Sequence, residues 1–89
     1  MKYALVTGGS RGIGRNICFK LALEGYNVII NYVSNELEAL KTLEEVRRLG
    51  GDGELLKFNV ADNQECTAAI TGWEENHPGE YIEVLVNNA

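Results

Sequence analysis

The stretch Ala4–Gly14, A-L-V-T-G-G-S-R-G-I-G, sets the strongest limit on what this chain can fold into. A short apolar run, Ala4-Leu5-Val6, gives way to glycines at 8, 9, 12 and 14, and a helical pattern follows with Ile13, Ile17 and Leu21 on one face. Strand, glycine-rich turn and helix together make a phosphate cradle. Glycine turns the backbone through positive φ and lets it approach a ligand with no Cβ in the way. The unpaired N–H groups at the start of the next helix then face the anion, aided by the helix dipole. A glycine-rich loop can also be only a tight connection. Four glycines within seven residues, with Arg11 among them, favour the cradle.

The rest of the chain repeats the same alternation. Lys2–Thr7 reads as a buried parallel strand stopped by glycine, and Arg11–Glu24 as a helix closed by Gly25 at its C′ position. Asn27–Tyr32 is a second apolar run. Ser34 or Asn35 can cap a second helix, with Glu36 and Glu38 in its first turn and Leu37, Leu40, Leu43, Val46 and Leu49 as its apolar positions. Gly50-Gly51-Asp52-Gly53 closes that helix, and Glu54–Val60 reads as the third strand. Asp62, with Glu65 three residues on, opens a third helix whose buried face is Cys66, Ala69, Ile70 and Trp73. Pro78-Gly79 stops it, and Tyr81–Asn87 is a fourth strand. The order β-α-β-α-β-α-β implies an α/β fold with right-handed parallel crossovers and a three-layer sheet. Ligands of such sheets bind at the carboxyl ends of the strands. The glycine turn, Tyr32–Asn35, Asn59-Val60 and Asn87–Ala89 all fall there.

Composition narrows the class. With 45% apolar and 24% charged residues in 89, the chain is an ordinary globular domain rather than a disordered one. Its net charge of −5 argues against a general nucleic-acid binder. Lys2, Arg11, Arg15 and Lys20 face Glu24 alone in the first 30 residues, which concentrates positive charge in the segment of the glycine turn. For Arg15 and Lys20 a solvated helix face explains the charge equally well. Cys18 and Cys66 match neither a zinc site nor a redox pair and read as core residues in a reducing compartment. No signal-peptide pattern or membrane-length apolar run is present, so a cytoplasmic protein without membrane contact is expected.

The glycine spacing selects among phosphate sites. A P-loop fit from Gly9 reaches Gly14, but Arg15-Asn16 stands where Lys-Ser/Thr is required. G-x-G-x-x-G is also absent. The pattern is Thr7-Gly8-x-x-x-Gly12-x-Gly14, accompanied by N-V-A-D at Asn59–Asp62 and V-N-N-A at Val86–Ala89. These three motifs, spread over all 89 residues, resemble the short-chain dehydrogenase/reductase family. Within that family S-R-G-I-G and Asn59 are similar to bacterial 3-oxoacyl-acyl-carrier-protein reductases, though related sugar and steroid reductases share much of the pattern. The resemblance implies a Rossmann-type sheet of order 3-2-1-4, with residues 1–89 as the N-terminal cofactor-binding half of a single truncated domain. It also implies oxidoreductase chemistry in fatty acid biosynthesis and an acyl-carrier-protein-linked 3-oxoacyl substrate. A homo-oligomer is expected, since the fourth strand would present an apolar edge.

Roles follow from the resemblance residue by residue. The backbone at Gly8, Ser10, Arg11, Gly12, Ile13 and Gly14 would hold the pyrophosphate and adenosine ribose. Asn59 and Val60 would meet the adenine, while Asn88 and Ala89 would line the ribose side. Asn59 could instead only end a strand, and Asn87 only bridge two strands. NAD-specific members place a carboxylate at the end of the second strand. Tyr32 stands there, Arg11 offers a planar donor fork to a 2′-phosphate, and Ser34 and Asn35 add neutral hydrogen bonds, so the expected cofactor is NADP(H). The family's Tyr-x-x-x-Lys is absent: Tyr3, Tyr26, Tyr32 and Tyr81 precede Thr7, Ile30, Glu36 and Leu85 at that spacing. No catalytic residue and no metal ligand is assigned, and His77 at a helix end reads as a dipole or solvent residue. A second oxidoreductase specificity and a non-catalytic nucleotide-binding module stay open.

Overall fold

The computed structural model describes residues 2–88. Strands β1 (Tyr3–Val6), β2 (Asn27–Tyr32), β3 (Asp52–Lys57) and β4 (Ile82–Val86) alternate with helices α1 (Gly12–Leu23), α2 (Glu36–Arg48) and α3 (Asn63–Asn76). The strands form one sheet in the order β3-β2-β1-β4, with every pairing parallel. The chain steps outward from β1 to β3, then crosses back to place β4 on the other side of β1. A right-handed return requires the last crossover to use the opposite face of the sheet. Accordingly, α1 and α2 pack with Val6, Val28 and Ile30, while α3 packs with Tyr3, Leu5 and Ile29. Alternate residues of the same strands thus feed two separate cores. Each fully buried Val or Ile there contributes about 1.5–3 kcal/mol of transfer free energy.

The helix faces differ in part from those the apolar spacing implies. α1 buries Gly14, Cys18 and Ala22, whereas Ile13 is 73% exposed and Ile17 and Leu21 are only partly covered. Small residues at i, i+4 and i+8 let the helix axis sit close to the sheet, and the larger side chains flank the contact. In α2 the buried residues are Ala39, Thr42, Leu43 and Val46, while Leu37 and Leu40 are exposed. Asn35, not Ser34, caps α2, its side chain accepting from the Glu38 N–H at 3.2 Å. The α3 face is the expected one, with Trp73 buried and Cys66, Ala69 and Ile70 packed on the same core.

β3 starts at Asp52, two residues before the expected Glu54, and ends at Lys57 rather than Val60. Its pairing with β2 runs from Asn27↔Asp52 to Tyr32↔Lys57. Gly53 belongs inside the strand because a Cβ there would stand 2.3 Å from the Val28 carbonyl oxygen. β4 carries a register irregularity opposite Tyr3/Ala4, which puts Ile82 and Leu85 on the α3 side and Val84 and Val86 on the other. At the end of the sheet remote from the glycine turn, the Trp73 and His77 rings stack at 4.2 Å and Tyr3 meets Trp73 edge-on at 4.9 Å. His77 Nδ1 lies 2.7 Å from the Trp73 carbonyl and Nε2 3.2 Å from Glu54. His77 is therefore a packed and bonded residue rather than a solvated one. Among the described residues no helix is long and apolar enough to cross a membrane.

Candidate functional site

Three strand ends and one helix start meet at the glycine turn. β1 stops at Val6, and Thr7 is held by β4: its N–H donates to the Val86 carbonyl (3.0 Å) and its hydroxyl accepts from the Asn88 N–H (2.9 Å). Gly8 and Gly12 both have φ near +65°, a region that favours glycine. Gly14 is required for a different reason. A Cβ there would stand 2.1 Å from the Gly8 carbonyl oxygen and 2.6 Å from Asn88 Nδ2. The turn can fold back over α1 only if nothing occupies that position.

Asn31 fixes the other side of the turn, and the sequence reading did not single it out. It is 1% exposed in β2. Its side-chain oxygen accepts from the Gly8 N–H at 3.1 Å, and its Nδ2 donates to the carbonyls of Phe58 (2.9 Å) and Leu56 (3.2 Å). The Gly9 N–H adds a bond to the Asn31 carbonyl at 3.1 Å. One buried amide thus ties the turn, β2 and the exit of β3 together. The available signal was a polar residue interrupting the buried run Val28-Ile29-Ile30, since a buried amide has to find partners.

The first turn of α1 is open to an anion. Arg11 is its N-cap residue but gives no side-chain capping bond, and no acidic residue lies in that turn. The Gly12, Ile13 and Gly14 amides consequently have no intrahelical acceptor. A Cβ on Gly12 would meet no atom within 4 Å, so the cradle is clear of protein at that point. A cleft of about 150 Å³ follows from the turn to the end of β2, lined by Gly8, Ser10, Arg11, Asn31, Tyr32, Val33, Ser34 and Asn35. The Arg11 side chain is exposed and makes no ion pair among the described residues. Tyr32 is buried, and its hydroxyl donates to Glu36 at 3.0 Å, which with burial pushes the phenol above its ordinary value. Glu36 does not line the cleft.

The remaining expected residues are distributed around this centre. Asn88 donates from Nδ2 to the Gly8 carbonyl at 3.4 Å, so it backs the turn. Asn59 follows Phe58, whose carbonyl Asn31 holds. Its own Oδ1 accepts from the Ala61 N–H at 3.0 Å, which leaves its NH₂ group and the second Oδ1 lone pair for a ligand. Val60 lies apart from the cleft, in an apolar cavity of about 250 Å³ with Leu5, Phe58, Cys66, Ile70 and Leu85. Ile13 projects from the exposed start of α1. Ala89 lies outside the described residues. The positive charge is less concentrated than its place in sequence implies. Lys2 covers the Tyr26 ring at 4.7 Å, and Arg15 is bound to Glu38 at 2.9 Å, so Arg11 is the guanidinium at the turn that has no ion pair among the described residues. A larger concavity of about 510 Å³ over the outer face of α3 is lined by Asn63, Gln64, Thr67, Ala68, Thr71, Gly72 and Glu75, all from that one helix and apart from the glycine turn.

The family model described as short chain dehydrogenase matches residues 2–89. The chain is 47% identical over 88 residues to the 3-oxoacyl-[acyl-carrier-protein] reductase FabG of Staphylococcus aureus, covering 99% of this chain and 35% of that protein. It is 35% identical to the short-chain dehydrogenase/reductase homolog YusS of Bacillus subtilis, again over 99% of this chain but 79% of that protein. Among solved structures, a dehydrogenase/reductase from Sinorhizobium meliloti superposes with a TM-score of 0.88 at 38% identity, covering 99% of this chain and 34% of the other.

Proposed function

The chain belongs to the short chain dehydrogenase family, and we propose that it is the NADP(H)-binding part of a 3-oxoacyl-[acyl-carrier-protein] reductase. The observation that carries the cofactor reading is the cleft itself. It joins an uncapped, glycine-built helix start to an uncharged strand end, with an unpaired guanidinium between them. Amides at Gly12–Gly14 suit a diphosphate, and Arg11 with Ser34 and Asn35 suits a 2′-phosphate. Asn59 would donate its NH₂ to an adenine ring nitrogen. When bound, the nicotinamide supplies hydride chemistry. This chain's part is to bind and orient the dinucleotide, because it holds no Tyr-x-x-x-Lys to handle the proton. The likeness to FabG supports an acyl-carrier-protein-linked 3-oxoacyl substrate and a place in fatty acid synthesis for the protein as a whole. A cytoplasmic, homo-oligomeric protein is part of the same proposal.

The test is calorimetric titration with NADPH and NADH. Wild-type protein is expected to prefer NADPH, and Arg11→Ala to lose about 10–100-fold in NADPH affinity with NADH unchanged, the value of a charged hydrogen bond or two. An Arg11→Ala protein that keeps the preference overturns the reading. A second reading, a nucleotide-binding module without catalysis, is favoured by the 79% coverage of YusS. NADPH consumption with a 3-oxoacyl thioester separates the two: turnover by the protein carrying this chain supports the reductase, and binding without turnover supports the module.

A further inference from the structure

Arg15 does not point into the cleft. It lies behind the turn, and its side chain is 26% exposed. Its Nε donates to the Ser10 carbonyl at 3.1 Å and lies 2.9 Å from Thr42 Oγ1 of α2, while Nη2 reaches the same Ser10 carbonyl. Nη2 also meets the Glu38 carbonyl at 3.1 Å and its carboxylate at 2.9 Å. Thr42, fully buried, adds its hydroxyl to the Ser10 carbonyl at 3.0 Å. One carbonyl oxygen of the turn is therefore gripped by donors from two helices.

The consequence comes from peptide geometry. In a trans peptide the C=O of one residue and the N–H of the next point in opposite directions, and no peptide in the described chain is cis. Holding the Ser10 oxygen toward α2 aims the Arg11 N–H away from α2. A flip of that one peptide would present a carbonyl oxygen, not an amide proton, to an incoming anion. Glycines on both sides, at Gly9 and Gly12, make the segment easy to rotate unless something holds it.

We propose that Arg15 is a positioning residue for the phosphate-binding turn, which with Thr42 locks the Ser10–Arg11 peptide in the orientation that offers its amide to a diphosphate. The inference rests on the nucleotide-binding reading above for its ligand, but not for its geometry. The β2–α2 connection thereby has two parts in the site: Val33, Ser34 and the N-cap Asn35 line the cleft, and the second turn of α2 braces the turn opposite.

The test uses ADP and adenosine as probes, titrated by NMR into wild type, Arg15→Ala, Arg15→Lys and Thr42→Val. Arg15→Ala is expected to weaken ADP about tenfold while adenosine stays within about twofold, since only ADP engages the turn. Arg15→Lys, with a single donor group, should recover part of the loss, and Thr42→Val should show a smaller one in a protein that keeps nearly the same volume. Equal weakening of ADP and adenosine, or none, overturns the proposal. The Arg11 amide proton–nitrogen resonance in the free protein gives a ligand-independent readout: a shifted or broadened Arg11 cross-peak in Arg15→Ala, with β2 amides unchanged, is expected. An unchanged Arg11 cross-peak also overturns it. Wild-type protein that binds no ADP refutes the nucleotide reading instead, and the cross-peak result then decides the clamp alone.

Discussion

Replacing Gly14 by alanine adds one methyl group where a described glycine passes closest to another part of the backbone. The new Cβ would stand 2.1 Å from the Gly8 carbonyl oxygen, where real contacts essentially never fall under 3.0 Å. The struck atom is backbone, in a turn already pinned by Asn31 and Asn88, so it cannot swing aside as a flexible side chain would. Overpacking of this kind costs about 1–3 kcal/mol, and the upper end applies here. Better helix propensity and a less entropic unfolded chain return about 1 kcal/mol. The net expectation is a loss of about 2 kcal/mol, which lowers Tm by about 8–16 °C in a domain of this size. Binding of ADP should weaken as well, because relief of the clash displaces the amides of the turn. Gly72→Ala is the matched control: it is also helical, but its Cβ would meet nothing within 4 Å. That variant should gain about 0.5–1 kcal/mol. Thermal unfolding by circular dichroism with ADP titration measures both. A Gly14→Ala protein with wild-type Tm and wild-type affinity would refute the close-approach argument, and a destabilised Gly72→Ala would show that helix glycines here serve some other purpose.

Two further outcomes follow from buried groups. Asn31→Leu should cost roughly 3–5 kcal/mol, because the Gly8 N–H and the Phe58 and Leu56 carbonyls lose their partner at about 1–3 kcal/mol each. Urea unfolding would contradict this if the variant lay within about 1 kcal/mol of wild type. The His77 pKa is raised, first by its bond to the Trp73 carbonyl and then by the charges of Glu54 and Glu80. The folded state therefore favours the protonated ring: this contribution is complete below the ordinary value of 6.5 and is lost as pH rises through the raised pKa. Wild-type stability measured from about pH 5.5 to about pH 8.5 should decline more steeply than that of His77→Gln, and parallel curves would exclude the linkage.

The sequence made the sheet legible because its apolar runs are short, regularly spaced and separated by helices, two of which are announced by side-chain caps at Asn35 and Asp62. Strand order was legible only through family likeness, since periodicity says which elements exist and not which lie side by side. The helix faces were misread where size was taken for burial. α1 approaches the sheet through Gly14, Cys18 and Ala22, and Ile13 is left outside. Glycines were read as loop at Gly53, where the strand in fact needs one to pass the Val28 carbonyl. All of the cleft lining except Asn31 was visible in Thr7–Gly14 and Tyr32–Asn35. The residues that hold it in shape were not, because Asn31 and Thr42 reach the turn from 23 and 32 positions away, and Arg15 is fixed on Ser10 by partners in α2 that lie 23 to 27 positions away.

The bond between Thr7 and Asn88 spans 81 positions. It joins the strand next to the amino terminus to the residues after β4, and Asn88 also backs the Gly8 carbonyl. A contact of that separation forms only after almost the entire chain has given up its freedom, since loop closure has to precede the reward. The β1-α1-β2 segment can shape the turn from neighbours in sequence, but its back wall arrives with β4. Any event that unzips β4 from β1 therefore removes that wall while leaving the other three strands paired, and a ligand held on the turn would oppose this fraying by mass action.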